Sequence, residues 1–216
     1  MNWKRARTDD RKNERKEEIY NAAFELFKKN GYEKVSFNGI ASEAGFTKSN
    51  MYRYFSSKED IFLNVFAELF EQWFEDCIAS LQELESGADV KRFADAYVQS
   101  FLLHPKFLDL TPILFVSLEK NSSYEQLLIF KRQAKGLLFQ IAMEVCRIYP
   151  ELEIEKAFRF LTLSYAATSN FWAANQQNDA LRKIYEQEEF QDLKPDFEQD
   201  LTASVEVIIH GLKACQ

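Results

Sequence analysis

Apolar residues in this chain recur in steps of three and four. Ile19, Ala22, Ala23, Leu26 and Phe27 fall on one helical face. Gly31 follows as a helix stop. Ser36 is placed to cap a short second helix carrying Phe37, Ile40, Ala41 and Ala44, and Gly45 ends it. Thr47 opens a third short helix through Met51 to Phe55. Ser57-Lys58-Glu59-Asp60 reads as a capping box for a fourth helix, with Asp60 reaching back to the cap. In that fourth helix the apolar residues come in doublets four apart: Ile61/Phe62, Val65/Phe66, Leu69/Phe70, Trp73/Phe74, Cys77/Ile78, then Leu81. Four residues advance ~400°, so the stripe drifts ~40° per doublet and ~200° in all. This pattern predicts a rod over 58–83, ~39 Å long, that buries opposite sides at its two ends and links two cores.

Beyond it, Asp89 opens a helix to Leu103 that Pro105 ends. A short segment runs through Pro112, then Ile113 to Glu119, and Ser122 or Ser123 caps a helix to Tyr149 that Pro150 stops. Residues 153–177 are apolar nearly all round (Phe158, Phe160, Leu161, Leu163, Tyr165, Phe171, Trp172), which predicts burial on every side. A second subunit covering one face makes that easier. The last helix, 195–214, presents Phe197, Leu201, Val205, Ile208 and Leu212 at spacings of four and three. Two such helices from each of two copies would form a four-helix interface, and these five residues are its candidates; an intramolecular core is the alternative. With six glycines, four prolines and no alternating strand pattern in 216 residues, the expected fold class is all-α.

Charge divides the chain. Residues 1–58 hold 13 Lys/Arg and 8 Asp/Glu, while residues 59–216 hold 14 and 26, so a basic head precedes an acidic body. Such a head suits a polyanion. The overall balance, 46% hydrophobic and 28% charged, excludes wholesale disorder. The longest uncharged apolar-rich stretch, Phe160 to Asn178, is broken by polar residues, and the start Met-Asn-Trp-Lys-Arg-Ala-Arg has no apolar core, so neither a membrane span nor a signal peptide is expected. Cys77, Cys146 and Cys215 are odd in number and far apart, which suits a reduced cytoplasm. His104 and His210 are too distant in sequence for a local metal motif. No catalytic motif is present, so neither an enzyme nor a cofactor is expected.

The second and third helices, joined at Gly45, have the layout of a helix-turn-helix, in which Ala41 and Ala44 allow close approach. The helix after the turn, Thr47-Lys48-Ser49-Asn50-Met51-Tyr52-Arg53-Tyr54-Phe55, is hydrogen-bonding except for Met51 and Phe55, which lie four apart and anchor inward. Lys48, Ser49 and Asn50 occupy its first turn, with donors and acceptors that match base edges. Tyr52 and Tyr54 carry hydroxyls suited to phosphate oxygens. Ser36 and Thr47 each begin a helix, where free N–H groups favour an anion.

The run from Arg15 into the fourth helix resembles the DNA-binding domain of the tetracycline-repressor (TetR) family. The likeness rests on Ala22-Ala23-Phe24-Glu25-Leu26-Phe27, Gly31-Tyr32, Ile40-Ala41-Ser42-Glu43-Ala44-Gly45 and Tyr52-Arg53-Tyr54-Phe55-Ser56-Ser57-Lys58. It implies an N-terminal helix-turn-helix domain (1–57, with a basic tail), a connecting helix (58–87) and an effector-binding and dimerisation domain (88–216). It also implies phosphate contacts at Thr47, Tyr52, Tyr54 and Lys58, and base contacts at Lys48, Ser49, Asn50 and Arg53, with Asn38 joining from the second helix. The basic residues Lys4, Arg5, Arg7, Arg11 and Lys12 either follow a minor groove or form a solubilising tail.

In the body, aromatic residues are candidates to line the effector pocket that the resemblance implies. These are Tyr97, Phe101, Phe107, Phe115, Phe130, Phe139, Tyr165, Phe171 and Trp172, with His104, Thr168, Asn170 and Asn175 for polar contacts. Plain core is the alternative for each. The expectation is a bacterial, cytoplasmic, homodimeric regulator, a repressor of genes behind a pseudo-palindromic double-stranded operator. It would respond to a partly apolar or aromatic small molecule, which changes the distance or angle between heads through the fourth helix. A helical small-molecule-binding or signalling module without sequence-specific DNA binding is the competing reading.

Overall fold

The computed structural model describes residues 3–214, with side chains from Asn13 onward. The described residues form helices and turns with no strand among them. The helices are α1 (Trp3–Asn30), α2 (Phe37–Glu43), α3 (Lys48–Met51), α4 (Lys58–Gln82), α5 (Val90–Leu102), α6 (Pro105–Leu110), α7 (Glu119–Asn121), α8 (Tyr124–Ile148), α9 (Ile154–Asn175), α10 (Asp179–Tyr185) and α11 (Phe197–Ala214). The basic positions from Lys4 to Lys12 fall within the span of α1 rather than ahead of it. Their side chains, and Cys215, lie outside the described residues.

The chain divides into two compact units. The first comprises Met1–Ala67 and Leu114–Phe130. Its core joins Ile19, Ala23, Ile40, Met51, Phe55, Ile61 and Phe62, all buried. Burying a side chain the size of Phe62 contributes ~1.5–3 kcal/mol. Edge-on ring contacts knit the core: Phe62 lies 6.0 Å from Phe27 and 5.3 Å from Tyr32.

The stop and start signals act as the sequence suggests. Gly31 (φ 77°) closes α1 through its N–H to the Phe27 carbonyl at 2.8 Å, and Gly45 (φ 71°) makes the turn between α2 and α3. The segment from Ile113 to Glu119 is irregular. A 3₁₀ turn (Thr111–Ile113) leads into a π-helical turn (Leu114–Leu118), then α7. Ser117 on the π turn donates to the Tyr32 hydroxyl at 3.0 Å, tying this segment to the end of α1.

The second unit comprises Glu68–Ile113 and Lys131–Gln216. Here α11 packs against α9 and α5. Its core is an aromatic stack in which Trp73 lies 4.5 Å from Phe101 and 5.4 Å from Phe107. Phe93 meets Tyr149 and Phe160 edge-on, each at 5.4 Å. Arg147 closes the end of α4, donating to the carbonyls of Leu81 and Leu84 at 2.8 Å each.

The apolar stripe of α11 takes the intramolecular alternative. Phe197, Leu201, Val205 and Leu212 are buried within one protomer, and only Ile208 among the five dimer candidates keeps partial exposure. Leu201 and Val205 are fully enclosed, whereas Ile208 and Leu212 border a groove with Leu163 and Val207. Likewise α9 is not enclosed all round: Leu163 is 44% exposed, and on α11 Val207 is 70% exposed.

Candidate nucleic-acid interface

The site is built by local capping. Ser36 Oγ accepts from the N–H of Gly39 at 3.0 Å and starts α2. Thr47 Oγ1 accepts from the N–H of Asn50 at 3.3 Å and starts α3. Regular helix then covers only Lys48–Met51; Arg53 and Tyr54 continue as a tighter turn, donating to the carbonyls of Asn50 and Met51. The helix expected through Phe55 therefore ends early, yet the division of faces holds. Met51 and Phe55 are buried, while Thr47, Lys48, Ser49, Asn50 and Arg53 are exposed. Tyr52, 55% exposed, packs its ring 5.0 Å from Phe37 on α2, with Lys48 Nζ 5.9 Å from the same ring. Tyr54 is half-buried against Phe46, ring to ring at 6.0 Å. Asn38 and Ser36 are exposed beside them on α2.

Lys58 is placed differently from the others. Its ammonium donates to the carbonyls of Tyr32 at 3.3 Å and Val35 at 3.1 Å, and it sits 4.3 Å from the Tyr32 ring centre. Burial pushes the Tyr32 hydroxyl up to about 12, so it is a neutral donor to Glu59 and an acceptor from Ser117. The capping box at the same helix start is real but shifted. Ser57 Oγ accepts from the N–H of Asp60 at 3.0 Å, and Asp60 reaches past the cap to the N–H of Ser56 at 3.3 Å.

Of the thirteen pocket candidates, Phe115 and Phe130 belong to the first unit and the other eleven to the second. Tyr97, Phe101 and Thr168 are buried in packed core. Tyr97 shares a 3.0 Å hydrogen bond with Ser164, and Thr168 donates to the Ser164 carbonyl at 2.8 Å. His104 pairs with Asp76 at 2.7 Å, Tyr165 donates to the Thr111 carbonyl at 3.0 Å, and Trp172 donates to Asp109 at 3.1 Å. Trp172 also borders an open hollow of about 280 Å³ with Leu102, Asn175 and Phe197. Among the described residues no three His, Cys, Asp or Glu side chains gather as metal ligands. No single helix among them is long and apolar enough to cross a membrane.

One residue that the sequence reading passed over is Arg15 on α1. It shares a cleft with Gly45, Phe46, Asn50, Arg53 and Tyr54. The only signal for it was its place at the basic start of the chain.

A capped polar helix turned outward by a positive-φ glycine defines a helix-turn-helix protein. Comparison narrows the class. Residues 19–65 match the bacterial regulatory proteins of the tetR family, and residues 67–216 match the tetracyclin repressor-like C-terminal domain. The chain belongs to the tetR family.

Among curated relatives, a fatty acid metabolism regulator protein of Bacillus subtilis (strain 168) is 35% identical over 66 residues, 31% of this chain and 34% of that protein. The HTH-type transcriptional regulator YfiR of the same organism is 27% identical over 88 residues, 41% and 43% of the two chains. The chain thus spans less than half the length of these curated relatives. Solved structures share the fold across almost the whole chain. The fatty acid degradation regulator FadR from Bacillus halodurans has a TM-score of 0.57 at 17% identity, covering 89% of this chain and 93% of that one. A TetR/AcrR-family regulator from Thermobifida fusca has a TM-score of 0.54 at 18% identity, covering 92% and 98%.

Proposed function

We propose that this protein is a homodimeric transcriptional repressor that binds a pseudo-palindromic DNA operator and is released by a partly apolar small molecule. The observation that carries the reading is the facing of α3. Its anchors Met51 and Phe55 are buried, and Lys48, Ser49 and Asn50 stand exposed together at its start. Those three side chains supply the donors and acceptors that read base edges, while the capped starts of α2 and α3 and the tyrosines beside them serve phosphates.

The dimer forms through the outer faces of α9 and α11. Leu163, Val207, Ile208, Gly211 and Leu212 line a groove of about 580 Å³ there, bordered by Glu153, Glu155, Lys156 and Arg159. Two copies that present these faces to each other make the isologous contact a two-fold operator requires. The fatty acid metabolism regulator among the curated relatives, matched over 31% of this chain, supports an apolar effector. The continuous α4, whose residues belong to both units, carries the response.

Selection of bound duplexes from a random library tests the proposal. The expected result is a two-fold symmetric motif with half-sites about one or more helical turns apart, ~34–36 Å per turn. Recovery of no motif, together with no shift of random duplex at low salt, would leave the helical ligand-binding module instead.

A further inference from the structure

The cleft between α1 and the turn before α3 is polar and about 220 Å³ in volume, several times a water's ~30 Å³ share of liquid. Arg15 enters it from α1, and Asn50, Arg53 and Tyr54 enter it from α3 and the turn that follows. Two contacts hold the Arg15 guanidinium. Its centre lies 5.6 Å from the Phe46 ring centre, and Nη1 donates to Glu18 at 2.6 Å. Arg53 is exposed and has no acidic partner among the described residues. Two guanidinium groups lining one hollow repel each other, and a single exposed carboxylate offsets that only weakly. A tetrahedral anion with several acceptor oxygens answers both forks at once, since guanidinium geometry matches phosphate oxygens in pairs.

We infer that this cleft seats one phosphodiester group of duplex DNA, which makes Arg15 on the first helix a DNA-contacting residue. The inference rests on the duplex-binding reading above. Glu18 has a double part in it. It orients Arg15 in the free protein and competes with the phosphate for the same fork.

The test is the salt dependence of binding to a fluorescently labelled duplex for wild type, Arg15→Gln, Arg53→Gln and Glu18→Gln. Arg15→Gln is expected to weaken specific and random duplexes alike, by roughly tenfold, and to lower the slope of log K against log salt by ~0.9, one phosphate contact. Arg53→Gln lowers it similarly, and Glu18→Gln tightens binding. Replacing chloride with inorganic phosphate at constant ionic strength is expected to weaken duplex binding more for wild type than for Arg15→Gln, because both anions seek one seat. Inorganic phosphate that binds the wild type but not Arg15→Gln, and leaves duplex binding unchanged, would overturn the duplex seat in favour of a free-phosphate site. An unchanged slope in Arg15→Gln, with its thermal unfolding intact, would overturn the seat while leaving the DNA-binding reading standing. Failure of the wild type to bind any duplex would overturn both.

Discussion

The carboxylate of Asp60 accepts a 2.7 Å hydrogen bond from the backbone N–H of Ser123, 63 residues away in sequence. Asp60 is 1% exposed, and its other oxygen holds the N–H of Ser56 at 3.3 Å. One buried side chain therefore fixes both the entry to α4 and the residue that precedes α8. Asp60→Ala leaves two N–H groups without an acceptor in an enclosed site. Each such loss costs ~1–3 kcal/mol, so destabilisation of ~3 kcal/mol is expected. At ~2–4 °C per kcal/mol for a chain of this size, the melting temperature falls by ~6–12 °C, measurable by circular dichroism. Asp60→Asn, which keeps one carbonyl oxygen, loses less. Equal melting of Asp60→Ala and wild type would show that these bonds do not matter.

Lys58 tests whether an ammonium already engaged by the protein also serves DNA. Two carbonyls and the Tyr32 ring surround it. Lys58→Met is expected to lower stability by ~1–2 kcal/mol and to leave the salt slope of duplex binding unchanged. A slope lower by ~0.9 would instead return Lys58 to the phosphate contacts that the family resemblance implies.

Asn50 is exposed in the first turn of α3, and its side-chain amide suits an adenine edge. Asn50→Ala is expected to relax sequence preference by ~1–3 kcal/mol at one base step and to leave random-duplex binding unchanged. Competition between the selected duplex and single-base variants reads this directly. A uniform loss across all sequences would assign Asn50 to the backbone.

What the sequence disclosed was chiefly what a few neighbouring residues decide among themselves. Ser36 and Thr47 cap because a hydroxyl there meets an N–H three residues on, and Gly31 and Gly45 turn because nothing but the local backbone is involved. The drifting doublets of α4 were legible for the same reason, and their residues do enter two units. Partners that come from far along the chain were not legible. Nothing near Lys58 announced that its ammonium would meet the carbonyls of Tyr32 and Val35. Nothing near Tyr97 announced that its hydroxyl would meet Ser164 in packed core. The π turn over Leu114–Leu118 and the short α10 follow no simple period, so pattern alone could not draw them. Periodicity found the apolar stripe of α11 but says nothing of what covers a stripe.

That last ambiguity can be tested with two substitutions on α11. Leu201 is fully buried inside the protomer, whereas Val207 is 70% exposed on the opposite side, beside the groove shared with Leu163. Leu201→Ala removes core packing, at a cost of ~2–5 kcal/mol, and takes nothing from the outer face. It is expected to lower the melting temperature while the folded protein remains a dimer in analytical ultracentrifugation. Val207→Glu costs a single protomer little, because the carboxylate stays in water. In the dimer it places a charge in an apolar contact, and across a two-fold axis it places two. The expected outcome is a folded monomer that binds duplex weakly, since two linked heads engage an operator far better than one. If Val207→Glu stays dimeric and Leu201→Ala dissociates without unfolding, the inner stripe is the interface after all, and the protomer must open to form it.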